Sequence, residues 1–242
     1  SAFDDPPVAP EAFAILRIQK HSSLASLAGV ARHHSRQSRA RGCDPEKSPR
    51  NLSFGAACSG SAGVVAAVGS VIEQAQAKQS KAFRRDAVKA VEFMFTASPE
   101  WWKTASPKYR SAFFDRARGW LREKHPGGVV AEWVHLDERS PHLHAVVVPL
   151  HEGRLNARHF FGGAKKLEAL QDEFASLMQP LGLVRGVRGS DAPHLPVSAW
   201  WSALDRPPEP VKRSDYLRKS MGLPAPAVDQ AEKKAAAFEA VK

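Results

Sequence analysis

Between His135 and His144 the chain places three imidazoles and two carboxylates within ten residues: His135, Asp137, Glu138, His142 and His144. Neutral imidazole nitrogens suit zinc, manganese, cobalt, nickel or iron better than calcium. Three protein ligands leave coordination positions open, which is the pattern of a catalytic rather than a closed structural metal site. A carboxylate beside such a site can accept a proton, orient a reacting group or hold an imidazole in one tautomer. A lone histidine on a surface hairpin would carry none of this weight.

The flanking residues must position these groups. Val129-Val130-Ala131-Glu132-Trp133-Val134 and Ala145-Val146-Val147-Val148 read as strands, and residues 138–141 as the turn between them. A four-residue loop would set Asp137 opposite His142 and His135 opposite His144. Side chains alternate along a strand, so His135, Asp137, His142 and His144 then share one face. Leu136, Leu143 and Ala145 point into the core. Cross-strand Cβ atoms lie roughly 5 Å apart, compatible with metal–nitrogen bonds of about 2.1 Å.

The run from His135 to His144, with its His-hydrophobe-His element His142-Leu143-His144, resembles the third motif of the MobV (Mob/Pre) relaxases, members of the HUH endonuclease superfamily. Those enzymes nick one strand at a plasmid transfer origin and remain covalently attached to the 5′ end. Histidine-triad nucleotide hydrolases are the rival resemblance. They require a further histidine two residues after the second, where this chain has Val146.

Composition agrees with an anionic partner. The chain has 242 residues, room for one sizeable core, and a formal net charge of +10, which favours nucleic acid or an anionic membrane surface. No apolar run reaches the roughly 20 residues that span a bilayer. The acidic, proline-rich start does not read as a signal peptide, so a bacterial cytoplasmic location is expected. Cys43 and Cys58 match no metal or redox spacing and read as free thiols.

Residues 1–11 read as a flexible leader and Phe13–Ile18 as a first strand. Residues 20–50 read as a basic loop, with Gly29, Gly42, Pro45 and Pro49 interrupting any long helix. Arg32, His33, His34, Arg36, Arg39 and Arg41 crowd within ten residues of it. Lysine and arginine supply most nonspecific DNA affinity, so this segment is expected to meet phosphates. Ala31-Arg32-His33-His34-Ser35-Arg36 resembles the family's first motif, a histidine followed three residues later by arginine. The resemblance puts His33 and Arg36 in those places and implies a histidine nucleophile, with His34 as the alternative. The two tyrosines, Tyr109 and Tyr216, both lie outside the N-terminal segment where relaxases usually carry their nucleophile. Asn51 resembles the centre of a second, weaker motif.

Further along, residues 62–78 read as a helix. Lys81, Arg84 and Arg85 precede a strand over 88–96 and are candidate DNA contacts. Trp101 and Trp102 read as core anchors. A helix from Ser106-Pro107 to about Lys124 carries Phe113, Phe114, Ala117 and Leu121 at helical spacing. His125 after it reads as a C-terminal capping cation. Arg158, His159, Phe160 and Phe161 form a basic, aromatic segment expected beside the metal site, able to hold single-stranded nucleic acid or to pack on the sheet. Residues 165–178 form an amphipathic helix. Arg185 and Arg188 lie in a glycine-rich loop expected to face DNA.

The element order implies an α+β fold, an antiparallel sheet with the hairpin at its centre and helices on the opposite face, in agreement with the HUH fold that the resemblance implies. The expected organisation is a leader (1–11), a relaxase domain (12–203), and a linker with the start of a helical C-terminal region (204–242). The expected activity is metal-dependent, site- and strand-specific DNA nicking through a 5′-phosphohistidine. One divalent ion is held by His135, His142 and His144, Mn2+ in first place, with Mg2+, Zn2+, Co2+ and Ni2+ as alternatives. Glu138 is the preferred base, Asp137 and Asn51 support, and Arg36 neutralises phosphate charge. Expected partners are single-stranded or hairpin origin DNA and, through a further C-terminal region, coupling or secretion machinery and a second copy of the chain. Two other classes fit the composition: a metal-dependent nucleotide or RNA phosphodiesterase without a covalent intermediate, and a noncatalytic DNA-binding protein with a structural metal.

Overall fold

Strand-forming and helix-forming segments follow one another as β1 (Ala12–His21), α1 (Leu24–His34), β2 (Leu52–Phe54), α2 (Ser61–Gln76), β3 (Ala90–Ala97), α3 (Pro99–Thr104), α4 (Pro107–Lys124), β4 (Val129–His135), β5 (His142–Val147), β6 (Leu150–His151), β7 (Arg154–Leu155), α5 (Ala157–Phe161), α6 (Ala164–Met178) and β8 (Leu183–Arg185). The computed structural model describes residues 12–38 and 43–186, and isolated positions 218, 219, 221 and 228. The chain divides into two units, Ser1–Arg185 and Gly186–Lys242, and the sheet and its helices belong to the first. The expected leader lies outside the described residues, as does the expected linker and helical stretch apart from those isolated positions.

One six-stranded sheet runs in the order β2-β4-β5-β3-β1-β8. It is antiparallel except at the edge, where β8 lies parallel to β1. The α+β architecture and the interior position of the histidine hairpin match the sequence reading. The hairpin register does not. His135 lies opposite His142, and Trp133 opposite His144, so the connection spans residues 136–141 rather than four residues. The pairing has shifted by two residues. A shift of two preserves the facing of every side chain, whereas a shift of one reverses it. The three histidines therefore stay on one face. Asp137 lies beyond the end of β4, in the loop, and not in a strand opposite His142.

Helices cover both faces of the sheet. On the side away from the histidines, Trp101, Phe113, Leu121, Phe174 and Met178 pack against Val91, Phe93, Phe95, Leu143 and Val147. Each such side chain, fully buried, contributes about 1.5–3 kcal/mol. Trp101 and Trp102 are core residues, as expected. On the histidine side, Leu27 and Ala31 of α1 and Val64 and Val68 of α2 cover Ala90, Ala131, Trp133 and Val146. The basic segment 20–50 is thus not a loop throughout, because α1 runs straight across Gly29. The Ser23 side chain caps its start by accepting from the Ser26 N–H. The buried stripe Leu27, Ala31 and His34 holds it to the sheet, which outweighs the propensity cost of one glycine, about 1 kcal/mol.

His125 also departs from expectation. It is 3% exposed and sits against Phe160, Phe93 and Phe161 at ring-centre distances of 4.5, 5.7 and 5.9 Å. Burial, aided by Lys124, pushes its pKa down to about 4. A helix terminus offers a cation about 0.3–1 kcal/mol, too little to offset desolvation among aromatic rings, so the ring is neutral. The unfolded chain binds this proton near pH 6.5 and the folded chain does not. Its contribution is therefore complete above about pH 6.5 and declines as the pH falls towards 4, by up to ~3 kcal/mol. Denaturant titrations of the wild type and His125→Leu should show the stability gap between them shrinking by about that amount between pH 7.5 and 4. A gap independent of pH would contradict the assignment.

Candidate active site

The site is built where the C-terminal end of α1 meets the open ends of β4 and β5. Period-two alternation brings His135, His142 and His144 to the face covered by α1, with ring centres 5.1, 5.4 and 4.8 Å apart pairwise. All three are buried. Burial lowers the pKa of each, and for His135 the neighbouring His142 and His144 add to it, so all three rings are neutral.

The hydrogen bonds decide where their protons sit. His135 Nε2 lies 3.0 Å from the His34 carbonyl oxygen, which can only accept, so that nitrogen carries the proton. His142 Nδ1 lies 2.9 Å from the Ser140 carbonyl and is protonated for the same reason. The remaining nitrogens, His135 Nδ1 and His142 Nε2, face each other at 3.2 Å without a proton between them. Two lone pairs at that distance repel, and a cation bridging them removes the repulsion. Bonds of about 2.1 Å place neighbouring ligand nitrogens roughly 3.0–3.4 Å apart. The donor set therefore fits a divalent metal. Potential ligand atoms of His135, Glu138 and His142 lie within 4.8 Å of one another, as do those of His34, His135 and His144.

Arg36 closes the site on one side. It follows α1 in the left-handed backbone conformation, φ 56°, uncommon for a residue with a side chain and frequent at functional sites. From there Nε donates to Asp137 Oδ2 at 3.0 Å, and Nη2 donates to Asp137 Oδ1 at 2.6 Å and to Glu138 Oε1 at 2.7 Å. Ser48 Oγ donates to Asp137 Oδ2 at 2.7 Å. Burial alone would push the Asp137 carboxyl up, but Arg36 and Ser48 outweigh it and hold it low. Asn51 Oδ1 accepts from the Leu136 N–H at 2.7 Å, so it fixes the backbone where β4 ends. Glu138 Oε1 also lies 3.9 Å from His135 Nδ1 and 3.8 Å from His142 Nε2, and the Cys43 thiol points at it from 3.6 Å. Burial and Glu138 push that thiol up to about 12, so it stays protonated. Both cysteines are free.

The two candidate nucleophiles differ in setting. His34 is 4% exposed, stacks on His144 at 3.8 Å and has Nε2 2.7 Å from Glu92 Oε1. His33 is only partly buried, at the end of the same helix. Burial, then His34 and Arg36, lower its pKa, and Glu138 partly opposes them.

Glu92 was not anticipated from the sequence. It lies on β3 among His34, His144 and His21, at 2.7, 3.0 and 3.5 Å. Burial would raise its pKa, but His34, then His144 and His21, hold it well below the usual carboxylate range. The available signal was a single acid in the apolar run Ala90–Ala97. Position 92 becomes informative only once its cross-strand neighbours are known.

The expected DNA contacts are scattered. Arg32 is exposed on α1 beside the site. Lys81, Arg84 and Arg85 are exposed in the α2–β3 loop, with Arg84 paired to Asp86 at 2.7 Å. Arg185 pairs with Asp172 at 2.9 Å. Arg158 is exposed on α5, whose Ala157 and Phe161 pack into the core on the far side of the sheet, so that segment does not adjoin the histidines. Arg39, Arg41 and Arg188 lie outside the described residues.

The plasmid recombination enzyme family, Mob_Pre, matches residues 11–201 of this chain. The chain belongs to the Mob/Pre family. A 65 kDa protein of Zymomonas mobilis is 33% identical over 197 residues, 80% of this chain and 33% of that protein. A plasmid recombination enzyme of a Bacillus species is 30% identical over 192 residues, 77% of this chain and 45% of that one. The chain thus spans a third to a half of the length of these Mob/Pre relatives. The relaxase domain of MobM, in a Mn-bound crystal structure with 22 nucleotides of pMV158 oriT DNA, shares the fold with a TM-score of 0.70 at 24% identity. That match covers 79% of this chain and 99% of the MobM chain.

The paired bare nitrogens predict that Mn2+ stabilises this Mob/Pre domain. At a hundredfold excess over its dissociation constant the gain should be about 2.7 kcal/mol, read as a rise in Tm. His142→Ala should abolish that rise. An equal rise in the variant would place the ion elsewhere.

Proposed function

We propose that this domain is a metal-dependent relaxase, nicking one strand of a transfer-origin DNA through a covalent 5′-phosphohistidine formed by His33. The observation that carries the proposal is His33, partly open to solvent at the end of α1, within the electrostatic reach of Glu138 and beside Arg36 and the buried histidine cluster. Transfer-origin DNA, as in the MobM complex, is the substrate that the family and the +10 charge favour.

A neutral imidazole nitrogen of His33 attacks the scissile phosphorus. The N–P bond forms, the P–O3′ bond breaks, and the 3′ oxygen leaves and takes up a proton, balanced by the proton that the other ring nitrogen of His33 gives up through Glu138. The phosphodiester becomes a phosphoramidate, which keeps the phosphoryl group activated so that a returning 3′-hydroxyl can reverse the step. Glu138 attracts the positive charge that grows on the His33 ring. Arg36 divides its guanidinium between Asp137 and Glu138 and so holds the carboxylate in place. His135, His142 and His144 would hold the divalent ion, Mn2+ by preference, which would supply Lewis-acid stabilisation of the charged phosphoryl group. Asp137 and Asn51 support the loop that carries Glu138. Arg32, Lys81 and Arg85 are the exposed cations proposed to meet DNA phosphates.

One observation favours a structural metal: the three imidazoles are at most 5% exposed. Incubation of labelled single-stranded origin DNA with protein and Mn2+, followed by a denaturing gel, separates the readings. The wild type should give an acid-labile protein–DNA adduct that His33→Ala loses. Loss of the adduct in His34→Ala alone would transfer the role to His34. Cleavage without an adduct would indicate a hydrolase, and binding without cleavage a DNA-binding protein.

The pH profile follows from the lowered His33 pKa. Nucleophilic attack requires the neutral ring, and a lowered pKa keeps it neutral into more acidic solution. With Mn2+ saturating, single-turnover nicking should stay level from about pH 7.5 to below the ordinary imidazole pKa of about 6.5. A rate that halves near or above that value would show that His33 is not the titrating nucleophile.

A further inference from the structure

We infer that Glu92 is a positioning residue that fixes the ring of the metal ligand His144 and ties it to the helix end that carries His33. The inference rests on the reading of His135, His142 and His144 as metal ligands. Glu92 lies on β3, outside the three motifs that the sequence displays, and its strand pairs with the strand of His144, with Met94 opposite His144.

The geometry gives one carboxylate three imidazole neighbours. Oε1 lies 2.7 Å from His34 Nε2 in a well-formed hydrogen bond. The same oxygen lies 3.0 Å from His144 Nδ1, a close but poorly aligned contact. Oε2 faces His21 Nε2 at 3.5 Å, and His21 is itself oriented by Ser26 Oγ at 2.9 Å from Nδ1. A carboxylate only accepts, so the hydrogen bond puts the His34 proton on Nε2, and on this inference that of His144 sits on Nδ1, where a small rotation of the ring aligns it with Oε1. His144 is then protonated on Nδ1, and Nε2 is its lone-pair nitrogen, free to bind a metal. His34 is protonated on Nε2 and held in the core.

Two consequences follow. A metal-bound imidazole that donates its other N–H to a carboxylate is held in orientation and is a stronger ligand. The negative charge of Glu92 also offsets part of the charge that a divalent ion brings into a buried site. Glu92 further sets the distance from α1 to the metal, because its Oε1 joins His144 to His34, the neighbour of His33 in the chain. Glu138 acts from the open side of the cluster and Glu92 from the buried side.

The test measures Mn2+ affinity by titration followed with electron paramagnetic resonance, on the whole chain without DNA. Glu92→Gln should weaken binding by about 10–100-fold. Glu132→Gln is the control. Glu132 is likewise a buried carboxylate, on β4, paired with Arg118 and Arg122 and directed to the opposite face of the sheet. It should lower Tm and leave the affinity unchanged. Equal affinities in Glu92→Gln and the wild type would overturn this inference and leave the metal reading standing. A wild type that binds no Mn2+ would overturn both. If Glu92→Gln does not fold, imidazole 15N spectra of the metal-free wild type decide the matter. Protons on His144 Nδ1 and His34 Nε2 support the assignment, and a proton on His144 Nε2 overturns it.

Discussion

The guanidinium of Arg36 is the interaction on which the site depends. Two carboxylates, Asp137 and Glu138, stand next to each other at the mouth of a buried histidine cluster, where their mutual repulsion would drive them apart or protonate one of them. Arg36 answers both with a fork of three hydrogen bonds, and burial, which alone would weaken its charge, is outweighed by them. The fork reaches that position because the residue adopts a left-handed conformation directly after α1. The helix, the loop after β4 and the histidine face thereby become one unit.

A second constraint works from beneath. Burying neutral imidazoles under an apolar helix layer is costly unless their polar nitrogens find partners. Carbonyls of His34 and Ser140 accept from one nitrogen each of His135 and His142, and the carboxylate of Glu92 lies 3.0 Å from Nδ1 of His144. The opposed nitrogens of His135 and His142 are left without a proton between them. An apolar setting that suppresses protonation and a pair of lone pairs aimed at one point together favour metal over proton. The same burial closes the cluster from below and leaves it open on the side where His33, Glu138 and Arg36 lie partly exposed.

The fold supplies the rigidity for this arrangement. Aromatic packing of α3, α4 and α6 fills the far side of the sheet, and a neutral His125 lies within that aromatic layer. The histidine side is covered by α1 and α2, with Cys58, Leu150 and Leu155 packed beside them, and on it the sheet carries Glu92, His135, His142 and His144. Buried charge on the far face, at Glu132, is neutralised by Arg118 and Arg122 within the same layer. This division keeps these ion pairs apart from the histidine cluster.

What the sequence determined by itself were the features with a fixed local period. His142-Leu143-His144 and His135 fall on one face under any even register, so the histidine cluster was legible although the loop is two residues longer than its spacing suggests. The facing of Phe113, Phe114, Ala117 and Leu121 on α4 was legible for the same reason. Only the tertiary structure decided what depends on distant partners. It showed that α1 continues through Gly29 because packing on the sheet outweighs one glycine. It separated His33 from His34, neighbours in the chain that differ in burial because a helix turns successive side chains by about 100°. It placed Glu92 among three histidines from three other elements, and it buried His125 where the helix-end pattern suggested a cation. These outcomes are set by desolvation and by contacts across the sheet, which no local spacing encodes.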